Sequence, residues 1–246
     1  MTVVVAGGTR GIGLELAAGL SEPDEQVVVG YASDGVAADR ACERLSAEGR
    51  RPTAVQADMA TADGARALVA AALATPGAIR VLVHSSVTVA SGPLLELDEQ
   101  ALARTLAVNA TSLLWLVRAA GAALEQGSSV LYLTSRGGRH VVSGYGTVGP
   151  AKSYGEGLVR YLAVELASRG VRVNALAPGT QDTQALRDVF GDRTDEVLAS
   201  ARAKNPSGRL VEPADYVAMA RFLVSPEAAM VTGQSVFVYG GADLLG

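Results

Sequence analysis

The fold is decided by Val3-Val4-Val5-Ala6-Gly7-Gly8-Thr9-Arg10-Gly11-Ile12-Gly13, near the start of the chain. The apolar run before Gly7 predicts a buried strand, and the residues from Gly11 onward predict the first turn of a helix. Gly7 permits a tight turn between them, while Gly11 and Gly13 let the backbone and the helix approach a pyrophosphate at the helix N-terminus. This stretch therefore predicts a dinucleotide-binding turn after the first strand.

Strand-like and helix-like segments alternate along the rest of the sequence. The β-rich runs are residues 2–6, 26–31, 53–57, 80–84, 129–134, 171–176 and 235–239. The helical patterns are residues 11–20, 36–48, 62–74, 99–124, 151–168 and 213–224. Such alternation implies right-handed βαβ units. We predict a single-domain α/β fold over residues 1–246. Its core is a Rossmann-type doubly wound parallel sheet of about seven strands, in the order 3-2-1-4-5-6-7, with helices on both faces.

The composition limits the class of protein. Of the 246 residues 49% are hydrophobic and only 4% aromatic, so the core must consist of Ala, Val and Leu, as suits a parallel sheet covered on both faces. A net charge of −4 predicts no nucleic-acid partner and no patch for an anionic membrane. Cys42 is the sole cysteine, so neither a disulfide framework nor a cysteine metal cluster is expected. Because no apolar stretch reaches about 20 residues, we expect no membrane span and a soluble, cytoplasmic protein.

Residues 179–209 differ in texture from the rest of the chain. The segment is polar and charged, lies between the sixth and seventh predicted strands, and contains its own helical pattern. Insertions after the carboxyl end of a strand are where such sheets place substrate lids. We therefore predict a substrate lid here, the alternative being a surface excursion without a function.

Tyr145 and Lys152 form a second candidate site. Lys152 is one of two lysines in the chain, the other being Lys204, and Tyr145 stands seven residues before Lys152. Residues seven apart lie on nearly one face of a helix, which suits a phenol acid and an ammonium that address the same cofactor. Pro150 lies between them, so the helix is expected to begin near Thr147 or later, and the shared face is approximate. The alternative is a surface lysine and a loop tyrosine.

The Gly-x3-Gly-x-Gly spacing of the first turn resembles the short-chain dehydrogenase/reductase superfamily, and similar features recur along almost the whole chain. Asn109 stands where that family has a helix-bending asparagine, and Val173-Asn174-Ala175-Leu176-Ala177-Pro178-Gly179 is similar to its sixth strand and nicotinamide-side turn. Thr232-Gly233-Gln234 and Gly240-Gly241 are similar to its C-terminal signature. The resemblance implies that Asp58 contacts the adenine. The full cofactor-binding set it implies is Gly7, Thr9, Arg10, Gly11, Ile12, Gly13, Asp58, Met59, Ser85, Lys152, Gly179, Thr180 and Thr183.

Position 148 separates this chain from the usual members of that superfamily. Those members carry a tyrosine four residues before the lysine, whereas this chain has Val148, which cannot donate a proton. The Tyr145-x6-Lys152 spacing and Val83-His84-Ser85 resemble the enoyl-acyl carrier protein reductases, including the NADPH-preferring class termed enoyl reductase III. The resemblance implies that Tyr145 hydrogen-bonds an enolate oxygen and that Lys152 binds the nicotinamide ribose. Ser135 is a third catalytic candidate, either as a substrate-orienting hydroxyl or as a strand-end cap.

The expected cofactor is NADPH, with NADH as the alternative. Arg10 can pair with a ribose 2′-phosphate, and no acidic residue closes the second strand at Tyr31-Ala32 to bind a 2′-hydroxyl. No metal site is predicted. The basic run of Arg136, Arg139 and His140 can meet a phosphopantetheine or a carrier protein, or else form a solvated loop.

Together these features predict NADPH-dependent reduction of the carbon–carbon double bond of an enoyl thioester. The substrate is expected on acyl carrier protein or coenzyme A, in fatty-acid or polyketide-type synthesis. The first alternative is a carbonyl or alcohol oxidoreductase (a ketoreductase), with Tyr145 or Ser135 reassigned. The second is a catalytically idle relative that binds nucleotide. Family resemblance further implies a homotetramer built through the helices that contain Asn109 and Lys152.

Overall fold

Seven parallel strands form one sheet, and their order across it confirms the predicted order 3-2-1-4-5-6-7. The computed structural model describes residues 1–75, 77–90, 92–242 and 244. The strands are β1 (Thr2–Ala6), β2 (Gln26–Tyr31), β3 (Arg51–Gln56), β4 (Ile79–His84), β5 (Ser129–Leu133), β6 (Arg172–Pro178) and β7 (Ser235–Val238). The α-helices are α1 (Gly11–Leu20), α2 (Gly35–Ala47), α3 (Ala62–Leu73), α4 (Glu99–Leu106), α5 (Ser112–Ala120), α6 (Val148–Leu166), α7 (Gln184–Phe190), α8 (Thr194–Lys204) and α9 (Pro213–Val224).

Each face of the sheet packs against a layer of helices. Successive strand side chains point to opposite faces, so Val4 belongs to one core and Val3 to the other. The Val4 row runs across the sheet through Val28 and Leu82. It packs on α3, α5 and α6, whereas the Val3 row packs on α1 and α9. Burial on both faces explains the continuous apolar strands and the core of small aliphatic residues.

The segment predicted as one helix over residues 99–124 is interrupted. It consists of α4, a π-helical turn at Ala107–Thr111, and α5. Asn109 lies in that turn and its side-chain amide bonds both backbone groups of Thr88, at 2.8 Å and 2.9 Å. The widened turn thereby ties the helix to the loop after β4, a constraint that hydrophobic periodicity does not reveal.

The bounds of several other elements differ from the predicted ranges by one to three residues, while the start of α6 agrees with the expectation drawn from Pro150. β3 begins at Arg51 because it pairs with Gln26 at the start of β2. α6 begins at Val148, so Pro150 lies within its first turn. Proline is tolerated there because the first N–H groups of a helix have no intrahelical partner.

The helical segment Glu99–Ala123 is long and apolar enough to cross a membrane, by length and composition only. This corrects the expectation that no such stretch exists. Its Val108, Leu113 and Leu116 side chains are buried in the core with those of the sheet. The segment therefore has the packing of a core helix, which satisfies the same length and composition criteria.

Candidate active site

A groove of about 1080 Å³ opens at the carboxyl ends of the strands. All residues predicted as catalytic or cofactor-binding line it, from the glycine turn through Asp58, Ser85, Ser135, Tyr145 and Lys152 to Thr183. Their individual roles stay predictions. The predicted lid forms α7 and α8, and it supplies Leu186, Val189, Phe190, Val197 and Ala201 to an apolar part of the same groove.

The glycine turn leaves the N-terminus of α1 open. Gly7 adopts φ +77, and a Cβ there would lie 2.8 Å from the backbone nitrogen of Ser86. A Cβ on Gly13 would collide with the carbonyl of Gly7. Arg10 precedes the helix without a side-chain cap, and the first turn contains no acidic residue. The uncapped N–H groups and the helix dipole therefore fit the pyrophosphate of a dinucleotide.

The end of the groove beside β2 and β3 contains two polar pairs that sequence reasoning missed. Arg104 of α4 binds both carboxylate oxygens of Asp58 at 3.1 Å, and this guanidinium lowers the pKa of Asp58. Arg10 lies 3.9 Å from the carboxylate of Asp34, which also accepts a bond from the backbone of Ala37. The sequence predicted no acidic residue at the end of β2, but Asp34 follows shortly after that end. Its position directly before α2, where it caps the helix, was the signal that could have placed a carboxylate here.

Tyr145 lies in the loop before α6, with its ring over Gly137. A Cβ on Gly137 would collide with that ring, so the glycine makes room for it. The backbone of Tyr145 is fixed at both ends, because its N–H donates to Val142 and its carbonyl accepts from Gly149 at 2.8 Å. Burial raises the pKa of the phenol, while the Ser135 hydroxyl lowers it. The side chain is thus a protonated hydrogen-bond donor at neutral pH.

Val148 points away from the groove. Its side chain is fully buried in α6 and does not line the cavity. Position 148 therefore offers no group to a ligand in the groove, whereas Tyr145 and Lys152 both line it.

Ser135 follows β5 and reaches the groove beside Tyr145. Its hydroxyl is buried and has no hydrogen-bond partner of suitable geometry among the described residues, although it is near enough to Tyr145 to lower the pKa of that phenol. It also makes no capping bond to the short helical turn that follows. The strand-end capping role is thus not observed, and the hydroxyl is left to meet a ligand.

Lys152 is almost fully buried, and its ammonium donates to the carbonyl of Leu133 at 2.6 Å. Desolvation lowers the pKa of Lys152 to about 7. His84, also buried, approaches Ser112 at 2.5 Å through Nε2, and burial lowers the pKa of His84 to about 3. With this low pKa and with its ring enclosed in the core, His84 does not serve as a base.

The basic loop after β5 exposes Arg136, Arg139 and His140 and is anchored through Arg139. Arg139 pairs with the buried carboxylate of Glu156 at 3.2 Å and stacks over the ring of Phe237 at 4.4 Å. Glu156 also accepts from Thr134 at 2.7 Å. These contacts hold the loop that contains Ser135 against α6. Sequence reasoning did not single out Glu156 because its partners lie on other elements.

Comparisons with known proteins find relatives that match nearly the whole chain. A family model described as Enoyl-(Acyl carrier protein) reductase matches residues 6–243. Dehydrogenase/reductase SDR family member 4 of Oryctolagus cuniculus is 31% identical, over 97% of this chain and 92% of its own. The 3-oxoacyl-[acyl-carrier-protein] reductase FabG of Staphylococcus aureus is 29% identical, over 98% and 97%. The crystal structure of a single-residue variant of the actinorhodin polyketide ketoreductase with NADPH superimposes with a TM-score of 0.88 at 28% identity, covering 98% of this chain and 96% of that one.

Proposed function

The chain belongs to the short-chain dehydrogenase/reductase superfamily, and on that premise we propose that it reduces the carbon–carbon double bond of an enoyl thioester with NADPH. It is an oxidoreductase that uses a nicotinamide cofactor. The proposed substrate is linked to acyl carrier protein or coenzyme A in fatty-acid or polyketide-type synthesis. We further propose that the enzyme acts in the cytoplasm.

The position of the phenol is the observation that supports enone reduction. Tyr145 lines the groove seven residues before Lys152, while Val148 at the usual tyrosine position is buried outside it. Hydride addition to the β-carbon of an enone places negative charge on the thioester oxygen, farther along the conjugated system. A donor for that oxygen must therefore lie farther from the hydride source than a donor for a ketone, which fits the displaced phenol.

Each polar side chain of the groove then has a task. Tyr145 donates a hydrogen bond to the developing enolate oxygen, a contact of a kind worth about 3 to 4 kcal/mol in the transition state. Ser135, with its free buried hydroxyl, orients the thioester carbonyl. Lys152 holds the ribose hydroxyls of the cofactor, which supplies the hydride. The N-terminus of α1 binds its phosphates.

A ketoreductase is the second candidate, favoured by the pairing of Ser135 with Tyr145. The serine hydroxyl lies beside the phenol without another partner among the described residues, so the two could polarise a ketone oxygen together. Relatives named as ketoreductases match the chain over nearly its full length. The two functions differ in which carbon receives the hydride, and that difference can be assayed.

The deciding experiment follows NADPH oxidation with a crotonyl thioester beside an acetoacetyl thioester of the same carrier. We expect the enoyl substrate to be turned over with a kcat/KM at least about tenfold higher, because one well-placed donor is worth more than a factor of ten. Turnover of the keto substrate alone refutes enone reduction. If neither substrate is turned over while NADPH still binds, the hypothesis of a catalytically idle relative gains support.

NADPH is proposed over NADH because Arg10 is exposed at the adenosine end of the groove. Its carboxylate neighbour is Asp34 at 3.9 Å, with both side chains more than half exposed, so the guanidinium can turn to a 2′-phosphate. Arg10→Ala is expected to raise the KM for NADPH by about 10- to 100-fold and to leave the KM for NADH nearly unchanged. Arg40→Ala, on the exposed side of α2, is the matched control. Equal effects on both cofactors contradict this role of Arg10.

A homotetramer is proposed, with the apolar outer face of α6 as one of its two kinds of contact. Tyr161 and Val164 are 75% and 78% exposed there, and Tyr154 of the same helix is 42% exposed. Residues at this spacing share one helix face, and exposed patches of this kind mark contact surfaces. The proposed occupant is the same face of a second copy, which suits a two-fold interface.

The paired change Tyr161→Glu with Val164→Glu is expected to break this contact. Four buried carboxylates per interface have no partners, so the mass measured by light scattering should fall from tetramer to dimer or monomer. Val36→Glu replaces another exposed apolar residue, on α2, and should leave the mass unchanged. If the paired variant remains a tetramer, the interface does not include this face of α6.

A further inference from the structure

The ammonium of Lys152 is buried and forms no ion pair with a carboxylate of the described residues. In the described residues its contacts are the carbonyl of Leu133 at 2.6 Å and the ring of Tyr132, whose centroid lies 5.0 Å from Nζ. A cation within about 6 Å of an aromatic centroid is attracted by the negative face of the ring. The ring therefore supplies negative potential where an acidic side chain is absent.

Tyr132 is held so that its face meets the lysine. The side chain is fully buried in β5, and its hydroxyl donates to the carbonyl of Asn109 at 2.7 Å. That carbonyl belongs to the π-helical turn, where the usual helical bonding is disturbed. On its other side the ring occupies a notch at Gly155, because a Cβ on that glycine would collide with the phenol. The turn and the notch together fix the ring.

We propose that Tyr132 is a positioning residue for Lys152: the face of its ring favours the charged form of the ammonium and directs it at the cofactor. The phenol acts behind the groove and does not touch the cofactor itself. Its part in catalysis is indirect: a neutral lysine loses both its charge and one of its donors to the ribose. This inference uses the nicotinamide cofactor of the proposed function but neither of its candidate substrates.

The other ionisable groups around Lys152 do not replace the ring. On the groove side lie Tyr145 and the hydroxyl of Ser135. On the β4 side lies His84, whose ring is 5.2 Å from that of Tyr132 and which is uncharged above about pH 3. One turn along α6, Glu156 is bound by Arg139 and Thr134. Near neutral pH, Lys152 is thus the group whose pKa the ring of Tyr132 controls.

The test measures the protonation of Lys152 directly in the cofactor-free protein. The chain has two lysines, so ¹³Cε labelling gives two NMR signals, and Lys204→Arg identifies the Lys152 signal. The native midpoint is expected at about 7. In Tyr132→Leu it should fall by about 0.4 to 1.5 pH units, a range that runs from exposed to desolvated cation–π contacts. The Kd for NADPH at pH 8 should rise correspondingly, by about 2- to 30-fold.

Two variants of nearly equal shape separate the effect of the negative ring face from any effect of lost packing. Tyr132→Phe and the same change to a ring-fluorinated phenylalanine have nearly equal shape, but fluorine weakens the negative face. The fluorinated ring is expected to lower the Lys152 midpoint and weaken NADPH binding relative to Phe. Tyr216→Phe, another buried tyrosine of the sheet core, should leave both quantities unchanged. Equal midpoints for Phe and its fluorinated form overturn the proposal, as does a midpoint in Tyr132→Leu that stays or rises in the folded protein.

Discussion

Replacing Tyr145 by Phe is expected to lower kcat/KM for the enoyl thioester by about 100- to 1000-fold. The phenol is the donor that the groove presents to the developing oxygen charge, and the substitution removes it while the ring keeps its place over Gly137. Because the interaction forms in the transition state, kcat should fall in parallel with kcat/KM. Steady-state kinetics with the crotonyl thioester check the size of the loss.

The Kd for NADPH distinguishes a lost catalytic donor from a disturbed groove. It should remain within about twofold in Tyr145→Phe, since the ring and the fixed backbone of the loop are retained. Tyr154→Phe removes another phenol, on the outer face of α6, and should leave activity intact. Retention of more than about a tenth of the activity in Tyr145→Phe removes this residue from the mechanism.

Replacing Lys152 by Met is expected to abolish measurable turnover and at the same time to stabilise the cofactor-free protein at acidic pH. Folding lowers the pKa of this lysine from 10.5 to about 7, through desolvation. Between these two values the unfolded chain binds more protons than the folded one, so the free energy of unfolding rises with pH. Below about pH 7 the lysine is charged in both states, and the folded protein then bears the full cost of the buried ammonium.

Urea unfolding at pH 6 and pH 9 checks this expectation. At pH 6, Lys152→Met should raise the free energy of unfolding by roughly 1 to 4 kcal/mol, because each unit of pKa shift corresponds to about 1.4 kcal/mol and the cavity partly relaxes around the ammonium. The gain should shrink at pH 9. Lys204→Met, at the exposed end of α8, should change stability by less than about 0.5 kcal/mol. A destabilised Lys152→Met variant at pH 6 contradicts the buried charge.

The sheet and the groove were predictable because their signals are local. The glycine turn follows an apolar strand within eleven residues, and alternating strands and helices restrict the topology to very few arrangements. Once the strand order is known, residues that follow strands meet at the carboxyl edge. This explains why Ser85, Ser135 and Gly179 were all found on one cavity.

The supporting contacts could not be predicted because their partners are distant in sequence. Arg104 binds Asp58, which lies 46 residues away in sequence, and no local sequence pattern around either residue predicts this pair. Tyr132 meets Asn109 and Lys152 only after β5, the π-helical turn and α6 are packed. A tyrosine in an apolar strand predicts burial, but not which charge its ring will face.

The notch at Gly155 imposes an order on how such a site can arise by mutation. A chain with a Cβ at position 155 cannot accept the Tyr132 ring, since the two would overlap in a core with no free space. A chain that acquires glycine first carries a small void next to Lys152 until the tyrosine fills it, at a cost of about 1 kcal/mol. Glycine must therefore arise at position 155 before tyrosine arises at position 132. After that, a change of Gly155 to a larger residue would collide with the ring. Glycine at position 155 thus brings no benefit when it first arises, but it can no longer be replaced once the ring of Tyr132 packs against it.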